Sequence, residues 1–398
     1  MTRSVVAVTL LPLLTLAAVA APAPRMDADG PADGTATLEL KELWRAGGED
    51  GEILFGRITD VDRGPDGEIY VLDNQLCQVE VFGPDGEHRR TLSRQGDGPG
   101  EVRQPIGTVL LPGGLVGIGA GFPGQLVLLR ADGTPVATRH PIGEPAEGNI
   151  GVMISLDAGG GLLAATGGRL VFETPETSYT ERFLAVGDAD GDEFTRILQR
   201  RTPIDPTGRT WDERADYYID GRWALDAHGR IYVPMERDRY VVSVFDRHGE
   251  PLAAFGRELE PRRRTDADKD RATPVINVRG ERNADHWDIC DTDPAIARIM
   301  IDPDDGLVWV LTPNGAFDQP DGVLQTWDVF TPEGEFLKRV AIPLGHRMRE
   351  GTCHLVGDGM LVVVRGTGTA FNAEAETEEG AEEPEPLEVI CFRITGRN

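Results

Sequence analysis

The stretch Arg57–Pro105, RITDVDRGPDGEIYVLDNQLCQVEVFGPDGEHRRTLSRQGDGPGEVRQP, decides the fold. Apolar residues alternate along Ile58–Asp62 and again along Ile69–Leu72, with Pro65-Asp66-Gly67 between the two runs. A third alternating run, Val79–Phe82, is turned by Pro84-Asp85-Gly86 into a fourth around Arg90–Leu92. Period-2 alternation broken by Asp-Gly turns predicts a meander of four short antiparallel strands.

The unit recurs. A turn followed by an apolar pair appears as PDGEIYV (65–71), LPGGLVGI (111–118), DAGGGLLAA (157–165), DAHGRIYVP (226–234), DPDDGLVWVL (302–311) and VGDGMLVVV (356–364). A second turn follows the first five, at 84–90, 131–137, 188–194, 247–253 and 332–338. Six units of four strands predict an all-β fold, a six-bladed β-propeller of four-stranded antiparallel blades. The sixth unit runs out after Val389–Ile394, and a spare strand, Thr37–Trp44, stands at the other end. Pairing the two closes the ring through the N-terminal strand and hides its open edges.

With its Gly96-Asp97-Gly98-Pro99-Gly100-Glu101 connector, the pattern resembles the bacterial six-bladed β-propeller family related to NHL repeats, over roughly residues 37–398. The resemblance implies the fold. NHL-like propellers include binding proteins, lyases and lactonases, so it leaves the activity open.

The 398 residues carry a net charge of −27, which argues against nucleic acid as a partner because phosphate binding needs a basic footprint. Residues 1–20 read as a secretory signal peptide: Arg3, an apolar run Val5–Ala20 broken by Pro12, and small residues Ala18-Val19-Ala20 at the cleavage positions. Residues 21–36 read as a disordered linker and 37–398 as the propeller. The expected location is secreted or periplasmic, as a monomer with no membrane span after cleavage. Cys77, Cys290, Cys353 and Cys391 admit three disulfide connectivities, or stand as buried thiols.

Loops of a four-stranded blade alternate between faces. The Asp-Gly turns fall on one face, and the insertions 140–149, 173–182, 199–218, 256–295, 312–323 and 366–386 fall on the other. Binding residues gather on loops held by a rigid scaffold, so the elaborated face is the expected working face. The acidic run 374–385 reads as a solvated loop. The basic run around Arg262-Arg263-Arg264 either attracts an acidic partner or pairs with the protein's own carboxylates.

Arg222 and Arg298 each stand four residues before an Asp, on the expected innermost strands of neighbouring blades. Together they can hold a carboxylate or phosphate, or each can pair with a local acid such as Asp60 or Asp220. His354 falls on the first strand of the sixth unit, and Asp73, Asn74 and Glu236 fall near strand ends on the elaborated face. The expected function is a binding scaffold for a protein or a small anionic ligand, without a cofactor. The alternative is a hydrolase or lyase, lactonase-like or NHL-lyase-like, with a divalent metal in the channel.

Overall fold

A computed structural model describes residues 22–27, 30–49, 51–143, 151–174, 177–204, 210–272, 277–278, 281–282, 286–343, 351–366 and 386–397. The molecule is nearly all β, with small antiparallel sheets in a propeller arrangement. Among the described residues the first sheet orders Ile58–Arg63, Ile69–Asp73, Gln78–Phe82 and His88–Leu92. The second orders Pro105–Leu111, Leu115–Ala120, Gln125–Arg130 and Pro135–Arg139, and the third Gly151–Gly159, Leu162–Thr174, Thr177–Asp188 and Phe194–Pro203. The fourth orders Ala224–Leu225, Ile231–Val233, Val241–Phe245 and Pro251–Gly256, with Arg25–Met26 added in parallel at its outer edge. The fifth has eight strands in two halves. Arg298–Ile301, Val308–Leu311, Val323–Phe330 and Phe336–Pro343 form one half, and Thr35–Gly47, Glu388–Arg397, Met360–Arg365 and Gly351–Gly357 form the other.

Thr35–Gly47 joins those halves. It pairs antiparallel with the C-terminal strand, Leu40 opposite Ile394 and Trp44 opposite Cys391. Its first residues pair in parallel with the other half, Thr35 opposite Arg339. The stretch read as a disordered linker is therefore partly strand. Arg25 and Met26 lie along Phe255 and Gly256, and Ala32 N donates to the Phe336 carbonyl at 3.0 Å. Exposed sheet edges offer unpaired backbone groups, and these residues satisfy them. The signal-peptide residues 1–20 lie outside the described residues, as does nearly all of 366–386.

Alternation gives way in the middle strands, where Ile69–Asp73 is buried on both faces and Met360–Arg365 nearly so. Such strands are covered on both sides by neighbouring sheets, so both faces must be apolar. Val71 and Phe82 pack with Trp44 and Val362 on one side of the first sheet, while Leu72 and Val81 pack with Ile118 and Val127 on the other. Each such side chain contributes about 1.5–3 kcal/mol when fully buried. The turns fit the same packing. Gly86 has φ +82°, and a Cβ there would lie 2.4 Å from Trp44 Cγ, so only glycine allows both the turn and the approach.

Four insertions differ from their reading as loops, 173–182, 199–218, 256–295 and 312–323. Most of 173–182 is strand, because Leu170-Val171-Phe172 and Tyr179-Thr180 continue the ladder of the third sheet, with Phe172 opposite Ser178. Within 256–295 a helix, Asp266–Ala272, is followed by His286–Asp288, which pairs in parallel with Thr210–Asp212. All four cysteines are free, and Cys77, Cys353 and Cys391 are buried. Among the described residues no helix is long and apolar enough to cross a membrane.

Candidate functional site

The first strands of the repeat units line up side by side: Ile58–Arg63, Pro105–Leu111, Gly151–Gly159, Ala224–Leu225, Arg298–Ile301 and Gly351–Gly357. Three of them reach to the next strand's backbone. Asp60 Oδ2 accepts from Thr108 N at 2.8 Å, Asp157 Oδ2 accepts from Leu225 N at 3.0 Å, and Arg298 donates to the Cys353 carbonyl at 2.9 Å. Asp60, Asp62, Asp157 and Arg298 keep part of their surface accessible although protein surrounds them.

This row of strands has two electrostatic sides. On the acidic side, Thr108 Oγ1 bridges two carboxyls, donating to Asp62 Oδ2 at 2.6 Å with Asp60 Oδ2 at 3.4 Å. Burial raises the Asp60 pKa, only partly offset by the Thr108 amide and by Arg298. Burial and the neighbouring Asp60 push Asp62 well above the carboxylate range. Burial takes Asp157 to about 7, against the pull of its bonds from Leu225 N and Ala158 N. A desolvated carboxyl holds its proton because the charged form has lost its water.

On the basic side, Arg298 makes the one bond to Cys353, and no carboxylate lies within ion-pair distance among the described residues. Burial lowers its pKa, and Asp60 is the charge that most opposes this. His354 lies on the next strand, buried, with Thr352 Oγ1 at 3.3 Å from Nε2. Burial first, then the Arg298 guanidinium, holds its imidazole well below the usual range, so it is neutral at pH 7.

The other expected residues scatter. Arg222 is not on the innermost strand: its amide closes a turn onto the Ile219 carbonyl at 2.8 Å, and Gly221 at φ +66° breaks the chain before Ala224. It lines a surface pocket with Trp211 and Tyr217, and no bond joins it to Arg298 or His354. Asp73 is an internal anchor, accepting from Gly56 N at 2.6 Å, Arg57 N at 3.1 Å and Leu76 N at 2.9 Å. Asn74 accepts from Arg57 Nε at 3.1 Å and donates to the Pro105 carbonyl. Glu236 is a surface group holding Arg239 at 2.7 Å. Short polar side chains at strand ends more often satisfy nearby amides than face a ligand.

The basic insertion pairs with the protein's own acids. Arg262 meets Asp268, Asp293 and Asp318, and Arg264 meets Glu213 and Asp293. Among the described residues no group of three or more His, Cys, Asp or Glu is placed to hold a metal ion.

Sequence reading missed Asp60, Asp62 and Asp157 as a set. Their signal was an acid inside an innermost strand, in T-D-V-D and S-L-D-A, where a buried position normally takes an apolar residue.

No family model matches the chain, and no curated protein matches it. Solved structures do. A member of the DUF4221 family from Bacteroides vulgatus superposes with a TM-score of 0.50 at 11% identity, over 89% of this chain and 98% of that one. The gluconolactonase of Xanthomonas campestris gives 0.44 at 13% identity, over 93% and 97%. Virginiamycin B lyase of Staphylococcus aureus gives 0.42 at 9% identity, over 88% and 99%. These are β-propeller proteins, and the likeness concerns fold.

Proposed function

We propose that the protein is an exported, monomeric six-bladed β-propeller that binds a small anionic ligand in its channel, against Arg298 and His354. Six blades follow if the eight-stranded sheet is counted as two that share the N-terminal strand. The six sequence repeats support that count, as do apolar clusters lying between successive sheets all the way round. The N-terminal strand then closes the ring.

The observation that carries the binding reading is Arg298. A guanidinium has five donors, and this one spends a single bond on the chain and has no carboxylate within ion-pair distance among the described residues, Asp60 acting on it from farther off. A desolvated charge without a partner is costly, and a bound anion offsets that cost with paired, charge-assisted bonds. Neutral His354 adds a hydrogen-bonding edge without competing charge. The ligand enters from the face bearing 199–218 and 256–295. Titration calorimetry of the mature chain against acetate, citrate and inorganic phosphate tests this. Binding by wild type and its loss in Arg298→Met is the expected result, and undiminished binding by the variant rejects it.

One observation favours an enzyme instead. Asp157, at about 7, can carry a proton at neutral pH, as a general acid or base must. Turnover of a lactone or ester by wild type and not by Asp157→Asn would favour that second reading.

A further inference from the structure

A separate pocket of about 150 Å³ opens beside Arg222, on the side of the channel where 210–220 meets Pro294. Its acids hold other arginines, although Asp220 keeps Oδ1 buried without a partner. Asp216 and Asp220 both hold Arg182, each at 2.9 Å, and Glu213 holds Arg237 at 2.7 Å and Arg264 at 2.7 Å. Arg222 is not committed. Its polar contact is one long bond to the Asp220 carbonyl at 3.3 Å, and among the described residues it has no carboxylate within ion-pair distance. The guanidinium carbon lies 5.6 Å from the centre of the Tyr217 ring, which orients the fork without neutralising it.

The facing wall is aromatic. Trp211 is half-buried and its ring sits 5.6 Å from that of Trp287, at an interplanar angle of 54°. The strand pairing of Thr210–Asp212 with His286–Asp288 sets Trp211 opposite Trp287, and the clamp on Glu213 anchors the helix that follows. A pocket with a guanidinium outside any ion pair and the Trp211 indole in its lining is complementary to one kind of guest. We infer that it binds a small monocarboxylate with a planar apolar body, such as an aryl acid, its carboxylate on the Arg222 fork and its ring against Trp211. The fork matches a carboxylate in two parallel bonds, and an offset aromatic contact adds to the area buried. This inference stands apart from the Arg298 reading, since no bond links the two arginines.

The test uses the mature full-length chain, with tryptophan fluorescence and calorimetry at pH 7 and benzoate, acetate, benzyl alcohol and inorganic phosphate as probes. In Arg298→Met, which removes the channel site, benzoate is expected to bind about tenfold more tightly than acetate or benzyl alcohol, because it alone engages both walls. In the same background Arg222→Met and Trp211→Leu should each weaken benzoate about tenfold or more at unchanged melting temperature. If Arg222→Met fails to fold, Arg222→Lys, which keeps the charge and loses the fork, should show the weakening instead. Phosphate or acetate binding as tightly as benzoate in Arg298→Met, where the channel site is removed, overturns the inference. So does benzoate binding that survives the Arg222 and Trp211 changes, or that is lost only in Arg298→Met.

Discussion

Arg262 and Arg264 of the 256–295 insertion and the arginine of the channel are all withdrawn from solvent and end differently. Arg264 is only 7% exposed, and it holds Glu213 and Asp293 at 2.7 Å each. Arg237, at 3% exposure, holds the same Glu213. Arg298 is surrounded by protein and holds a single carbonyl. Where the chain needs a basic residue for architecture, it supplies the matching acid. Where it does not, the charge is left for something else.

That contrast predicts opposite consequences for two single changes. Removing Glu213 leaves Arg237 and Arg264 short of their shared acceptor and strands the Cys290 amide, which donates to it at 2.9 Å. Glu213→Ala should therefore cost on the order of 3–5 kcal/mol, read from urea denaturation, because breaking a buried pair leaves uncompensated charge. A loss below about 1 kcal/mol would mean that the insertion does not depend on this network. Asp73→Ala should follow at about 2–3 kcal/mol, since three amides lose one acceptor.

The acidic side of the channel gives a pH signature. Asp157 has a folded-state pKa above its unfolded value, so the native state binds its proton more strongly. The stability this contributes is fully present below the ordinary carboxylate range and is lost as pH rises toward about 7. Asp157→Asn should flatten the decline in melting temperature between about pH 4 and 7. An unchanged slope would show that Asp157 is ionised in the native state throughout. The smallest effect belongs to Glu236. Its pair with Arg239 is about half exposed, so Glu236→Gln should alter stability by less than about 0.5 kcal/mol and leave anion binding intact.

The all-β architecture was readable because period-2 runs and Asp-Gly turns are local signals that repeat. The pairing of Thr37–Trp44 with the last strand was also readable, since an orphan strand at one end answers a missing strand at the other. The site was legible in fragments. Arg298 and His354 fall on neighbouring innermost strands, as the repeat register implied. Arg222 has the same spacing to its Asp but leaves the strand, because Gly221 turns the chain one residue earlier. Asp73 and Asn74 looked like loop-facing polar groups, yet their hydrogen bonds run inward to amides and a carbonyl that only the folded chain brings near. No local pattern indicates that Arg264 will find its acid as far along the chain as Glu213.

The most direct test of the channel site is an anomalous difference map from crystals of the mature protein soaked in bromide, comparing wild type with Arg298→Met. A bromide peak against the Arg298 guanidinium beside His354, absent from the variant while the surrounding strands are unchanged, is the predicted result. An empty channel in wild type, or the same peak in the variant, would contradict the claim that Arg298 is kept unpaired to receive an anion.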